Sequence, residues 1–249
     1  MPRQALLRLE DVPAALALLT RLPVPAPRGR GAVGAWAYPL AGLAVGALAG
    51  GAGWAALGLG AELAAALALT VQVMVTGALH EDGLADCADG FWGGAEPARR
   101  LAIMKDSQVG SFGVLALVLS LIARWSALSA LFATGAVLAP MIAAAVLSRA
   151  AMGGVMAALP NARQSGLAGS VGRPGAATAA LGAALALGLA TLAAGPFAAV
   201  TAGFAAAVLA ALTAVIARAK IGGVTGDALG AVQQISEVAA LAALVVLIR

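Results

Sequence analysis

Four of the eleven acidic residues in this 249-residue chain, and its only histidine, fall in residues 76–94, T-G-A-L-H-E-D-G-L-A-D-C-A-D-G-F-W-G-G. If residues 82–90 are helical, a turn of about 100° per residue points Asp82, Asp86 and Asp89 within roughly 60° of one another. Three carboxylates on one stripe raise each other's pKa and resist joint ionisation unless a cation sits among them. An all-oxygen donor set suits magnesium, manganese or calcium better than zinc. The plainer alternative, a solvated helix end at the membrane boundary, would not need three carboxylates on one stripe with Gly83, Gly90, Gly93 and Gly94 beside them. Glycines there let a phosphate or a second backbone come close. Glu81 projects about 100° away and is a candidate base or outer partner rather than a ligand. His80 lies on nearly the opposite face, where a structural hydrogen bond and a substrate contact both stay open. Cys87 has no second thiol or paired base and reads as small-residue packing.

A second set of polar residues lies far along the chain. Gly222-Gly223-Val224-Thr225-Gly226-Asp227 opens a helix and can present backbone N–H groups to phosphate, although such loops also serve as simple turns. Beyond it Gly226, Gly230, Gln233, Gln234 and Glu237 share one face of the last helix, and a polar stripe that enters a membrane faces the bundle interior. Asp227 and Glu237 are therefore candidates to complete a metal site or hold a substrate, with Gly223 and Gly226 at the phosphate. Lys105, Arg149 and Arg163 are candidates for phosphate charges. Arg149 sits deep in an apolar run and needs an acidic or phosphate partner. Arg124 can pair with a carboxylate or snorkel to an interface, whereas Arg99 and Arg100 read as surface charges that set topology. An acidic stripe, a glycine loop and cations on one face point to phosphoryl transfer, in which metal neutralises the oxygens and cations hold a pyrophosphate.

The elements that must position these groups are membrane helices. The chain is 62% hydrophobic and 10% charged, where a soluble domain carries about 25% charge, and its mean hydropathy is +0.98. An all-α, polytopic membrane protein follows, in contact with the lipid bilayer. The high pI, near 10.2, marks a cytoplasmic side rather than a nucleic-acid partner. Apolar runs predict spans near residues 36–58, 62–79, 111–134, 137–159, 176–194 and 197–217, and a final helix to 249, about seven in all. Residues 10–22 are too short to cross a core that needs about 20 apolar residues, so they predict an interfacial helix. One integral domain, 1–249, is expected: an interfacial segment over 1–35 without a cleavable signal, then a helical bundle over 36–249. This arrangement puts twelve of the fifteen Lys and Arg on one side, and the positive-inside rule makes that side the cytoplasm. The acidic stretch and the polar loops open to that same side, whereas a transporter keeps its polar groups near mid-membrane.

The runs L-H-E-D-G-L-A-D-C-A-D-G-F-W-G-G, I-M-K-D-S-Q-V-G-S-F-G and G-G-V-T-G-D-A-L-G-A, with T-R-L-P-V-P and the L-S-R of residues 147–149, resemble the cobalamin synthase family. The resemblance implies a magnesium-dependent enzyme of the prokaryotic cytoplasmic membrane, with manganese as an alternative ion and the active site facing the cytoplasm. It implies that adenosylcobinamide-GDP is joined to α-ribazole or its 5′-phosphate, with release of GMP. On that footing metal on Asp82, Asp86 and Asp89 grips the pyrophosphate and Lys105 and Arg149 neutralise it. The ribazole 5′-hydroxyl attacks the cobinamide-side phosphorus, and an aspartate such as Asp89 takes the proton. A homo-oligomer, or a complex with other late-pathway enzymes, stays open. The acidic run also looks like the signature of CDP-alcohol phosphotransferases, though Asp86 is followed by Cys87 and the arginine of that signature is missing. Such a phospholipid synthase, or a metal or solute transporter, is the alternative.

Overall fold

The computed structural model describes residues 6–25, 30–163 and 166–248, and among these the only extended pairing is one isolated bridge. In order come α1 (Asp11–Leu19), a 3-10 segment (Gly31–Ala37), α2 (Tyr38–Ala55), α3 (Ala61–Thr76), α4 (Leu79–Gly93), α5 (Pro97–Ile103) and α6 (Ser111–Ala133). Then follow α7 (Leu138–Ala158), α8 (Leu167–Val171), α9 (Ala176–Ala194), α10 (Pro196–Ile221) and α11 (Gly226–Val246). Among the described residues six segments are long and apolar enough to cross a membrane: Gly31–Ala55, α6, α7, α9, α10 and α11. The pair α3 and α4 passes the same test but bends by 87° between them.

That bend separates chemistry from crossing. At about 1.5 Å per residue the 16 residues of α3 cover most of a hydrocarbon core about 30 Å thick. The carboxylate-bearing α4 lies across the line of α3, so it is not among the six segments that cross on their own. The turn is made by two successive residues in left-handed backbone, Gly77 at φ 63° and Ala78 at φ 57°. Gly77 suits this conformation because it has no Cβ; Ala78 is an uncommon occupant. The Gly77 and Ala78 N–H groups donate back to Met74 and Val73, closing the end of α3. The expected second span, 62–79, thus ends at Thr76, and the acidic stretch forms a helix of its own.

Small residues set how closely the helices approach. A Cβ added to Gly46 of α2 would lie 2.7 Å from the Met141 carbonyl of α7, and one on Gly83 of α4 would lie 2.6 Å from the Asp227 carbonyl at the start of α11. The outer face of α6 presents Leu115, Leu119 and Ile122, as a helix bounded by lipid should. Near residues 10–22, where an interfacial helix is expected, the chain forms the helix α1, and a buried carboxylate holds it to the bundle. Asp11, 2% exposed, accepts hydrogen bonds from Arg30 and from Trp36 Nε1, the latter at 2.8 Å. Burial pushes the Asp11 carboxyl up, but these hydrogen bonds and the Arg30 charge together outweigh it and hold the pKa below its ordinary value.

Candidate active site at the crossing of α4 and α11

Two glycines bring the two acidic segments together. Gly83 faces the Asp227 backbone, and a Cβ on Gly230 would meet His80 Cα at 3.2 Å, so α4 and the first turns of α11 touch backbone to backbone. Asp82 on α4 is exposed and Asp86 half-buried, while Asp227 comes from α11. Burial first, then the charges of Asp82, Asp227 and Asp89, push Asp86 up to about 7, against the lowering influence of Arg163. The carboxylates are coupled, but among the described residues no three histidine, cysteine or acidic side chains converge tightly enough, as they stand, to hold a metal ion.

Asp227 is fixed by Arg163 Nη2 at 2.9 Å and by the Thr225 hydroxyl at 3.2 Å. Thr225 also caps α11, accepting from the Ala228 N–H at 3.1 Å. Arg163 reaches this place because its loop is stitched to the loop before α11. The Val224 N–H donates to Pro160 at 2.9 Å and the Ala162 N–H donates to Val224 at 2.8 Å. Only glycine fits at Gly223, where a Cβ would press on the Pro160 backbone and sit 3.1 Å from the Ala162 nitrogen. The glycine loop therefore joins two loops, and it brings an arginine to the acidic site. Arg163 spends Nη2 on Asp227 and leaves Nη1 without a hydrogen-bond partner among the described residues.

Asp89 has a different position. Its carboxylate accepts the Gly110 N–H at 2.7 Å and the Gly113 N–H at 2.9 Å, the free backbone donors at the start of α6. Its oxygens are occupied there, although its charge still acts on Asp86. Lys105, on the loop before α6, is exposed and makes no ion pair among the described residues.

Glu81, Glu237, Arg149 and Arg124 meet in the interior instead. Arg124 Nη2 donates to Glu81 Oε1 at 3.1 Å, and Arg124 Nη1 lies 3.5 Å from Glu237. Arg149 Nη1 lies 3.9 Å from Glu237 and donates to the Ala145 carbonyl at 3.0 Å. Gln72 Nε2 donates to Glu237 at 2.6 Å, Gln234 Nε2 to Glu81 at 3.1 Å and Gln233 Nε2 to Ser148 at 3.1 Å. Charges in an apolar interior persist only when paired, and these pair with each other. The carboxylate alternatives that the sequence left open for Arg149 and Arg124 are the ones seen. His80 is buried beside this group, near enough for Arg149 and Arg124 to act on it electrostatically, and its Nε2 has no hydrogen-bond partner among the described residues.

Next to the acidic crossing is a cavity of about 150 Å³. His80, Asp82, Arg163, Gly226 and Asp227 form its polar side, and Tyr38, Met152 and Met156 are among the residues of its apolar wall. Nothing about Met152 and Met156 distinguishes them in sequence from ordinary span residues. Tyr38 could have been noticed as the only tyrosine, and Gln72 as an amide inside an apolar run.

A profile described as cobalamin-5-phosphate synthase matches residues 11–245. Adenosylcobinamide-GDP ribazoletransferase of Azorhizobium caulinodans is 47% identical over 259 residues, covering 97% of each chain. The protein of that name from Mesorhizobium japonicum is 44% identical over 247 residues, 96% of this chain and 93% of the relative. The one from Bradyrhizobium diazoefficiens is 42% identical over 240 residues, 94% and 92%. No solved structure matches.

Proposed function

The chain belongs to the cobalamin-5-phosphate synthase family, and from that premise we propose that it joins adenosylcobinamide-GDP to α-ribazole or its 5′-phosphate and releases GMP. The observation that carries this reading is the meeting of α4 and α11 at one cavity mouth, where Asp82, Asp86 and Asp227 are coupled beside a guanidinium with one arm unspent. A cobalamin 5-phosphate product keeps the acceptor's 5′-phosphate. The attacking group is therefore another ribose hydroxyl, not the 5′-hydroxyl expected from the sequence.

Asp82, Asp86 and Asp227 fit a hard divalent cation by chemistry: all their donors are oxygen, and burial and the neighbouring carboxylates, which raise Asp86 to about 7, leave a place where added positive charge is favourable. When bound, magnesium or manganese would neutralise charge developing on the phosphate oxygens. Arg163 Nη1 is placed to bind a phosphate oxygen while Nη2 keeps Asp227 oriented. The bond from the acceptor oxygen to the corrinoid-side phosphorus forms as the bond to GMP breaks, and the hydroxyl proton passes to a carboxylate of the cluster. The charge asymmetry of the loops supports a site on the cytoplasmic face of the inner membrane.

The test is GMP release from adenosylcobinamide-GDP by purified protein, with α-ribazole and magnesium each present or withheld. Release only when all three are supplied is expected. Release that ignores α-ribazole, or none with the full set, counts against the assignment.

A further inference from the structure

We propose that the cavity lined by Tyr38, Met152 and Met156 is the subsite for the aromatic base of the acceptor nucleoside, with the Tyr38 hydroxyl donating to the base's unsubstituted ring nitrogen. This rests on the reading that α-ribazole is the acceptor. Its base, a dimethylated benzimidazole, is flat and apolar and carries one such nitrogen.

Three observations point here. The wall is built mainly from Leu18, Leu19, Leu79, Met152, Met156 and Leu229, so it suits an apolar guest. Methionine sulfur makes favourable contacts with aromatic rings. A dry cavity of about 150 Å³ is known to hold one benzene ring. This one has the same volume, and the exposed Asp82 lies on its lining with Arg163, so a larger ring can seat its apolar end against the leucines and methionines with the sugar towards these two. Tyr38 lines the cavity and is 4% exposed as a residue, and its hydroxyl makes no hydrogen bond among the described residues, so it is free to donate to a guest.

The other substrate fits this wall poorly. Guanine has several donors and acceptors along its edges, and burying them against leucine and methionine would leave most unsatisfied. A base with one acceptor asks for one donor, and Tyr38 supplies it. The nucleoside would then present its ribose towards Arg163 and the coupled carboxylates.

Initial rates with each substrate varied in turn, for wild type, Tyr38→Phe and Met156→Trp, test the assignment. Losing one neutral hydrogen bond should raise KM for α-ribazole by about five- to tenfold, leaving kcat and the KM for adenosylcobinamide-GDP within about twofold. Filling the cavity in Met156→Trp should raise the α-ribazole KM further. In wild type the free base, 5,6-dimethylbenzimidazole, should inhibit competitively against α-ribazole and not against adenosylcobinamide-GDP. An unchanged α-ribazole KM in Tyr38→Phe, or competition of the free base with the nucleotide-linked substrate, overturns the subsite. If wild type releases no GMP, the functional reading has failed. Equilibrium dialysis of the free base against wild type and Met156→Trp then still decides the cavity, which must bind the base only when unfilled.

Discussion

Asp86 and Asp89 lie three residues apart on α4, in one acidic motif, and the structure gives their carboxylates different surroundings. Asp86 is raised to about 7 by burial and by neighbouring carboxylates, whereas Asp89 receives two backbone N–H groups from the start of α6. Asp82→Asn and Asp86→Asn should each lower kcat by about two to three orders of magnitude with the melting temperature kept. Asp89→Ala should cost about 1 kcal/mol of stability, as loss of a helix cap does, with most of the turnover retained. Thermal melts alongside GMP release separate the two patterns. Asp86 also makes stability depend on pH. Its folded pKa, about 7, lies above the unfolded value, about 3.9, so folding takes up a proton between these values, and the stability this supplies is lost as pH rises from about 3.9 through about 7 and changes little beyond. In chelator the melting temperature should fall between pH 5.5 and 8, values bracketing that pKa. Magnesium should recover more at the upper end, and a magnesium effect independent of pH would refute the donor assignment. Spacing made the aspartate stripe legible in the sequence, but the separate position of Asp89 was not, because the donors that occupy it lie 21 and 24 residues away.

The helix that carries the acidic motif is placed by contacts at its ends and along one face. Among its glycines Gly83 comes closest to another backbone, and Gly93 on the same helix is an internal control. Gly83→Ala would drive a Cβ to within 2.6 Å of the Asp227 carbonyl, whereas at Gly93 the nearest atom, Ile103 Cδ1, is 3.6 Å away. The first substitution should cost about 1–3 kcal/mol and most of the turnover; the second should be nearly silent in melts and assays. The hold of α1 on the bundle depends on acid in the opposite sense to Asp86. Since the folded pKa of Asp11 is depressed, its stabilisation is present above about 3.9 and is lost as pH falls through the folded value. Fluorescence of Trp36, whose indole donates to Asp11, should report release of α1 in that acid range, and Asp11→Asn should abolish the transition. Hydropathy and turn residues made the spans and α1 legible. The 87° break was not, since it needs a left-handed Ala78 that sequence composition does not announce.

Across the whole molecule, α3, α4, α6, α7 and α11 are bound together inside by the Glu81, Arg124, Glu237 and Arg149 group. Removing one partner leaves a buried charge exposed to nothing. Glu81→Ala should therefore cost about 3–5 kcal/mol, whereas replacing both Glu81 and Arg124 by methionine should restore much of that loss in a double-mutant melt. The sequence marked Arg124, Arg149 and Glu237 as polar in an apolar setting and Glu81 as part of the acidic stretch, but it could not tell a substrate contact from a mutual one. The same physical cost drives both, and only the third dimension shows which partner is near. Two arginines and two glutamates also cancel. A lone charge within a bilayer feels the transmembrane voltage at about 2.3 kcal/mol per 100 mV, but this quartet offers that field no net handle. Protein reconstituted in vesicles should accordingly turn over at one rate whether the vesicles are polarised by a potassium gradient or short-circuited, as befits a catalyst seated in a membrane whose electrical energy it does not tap.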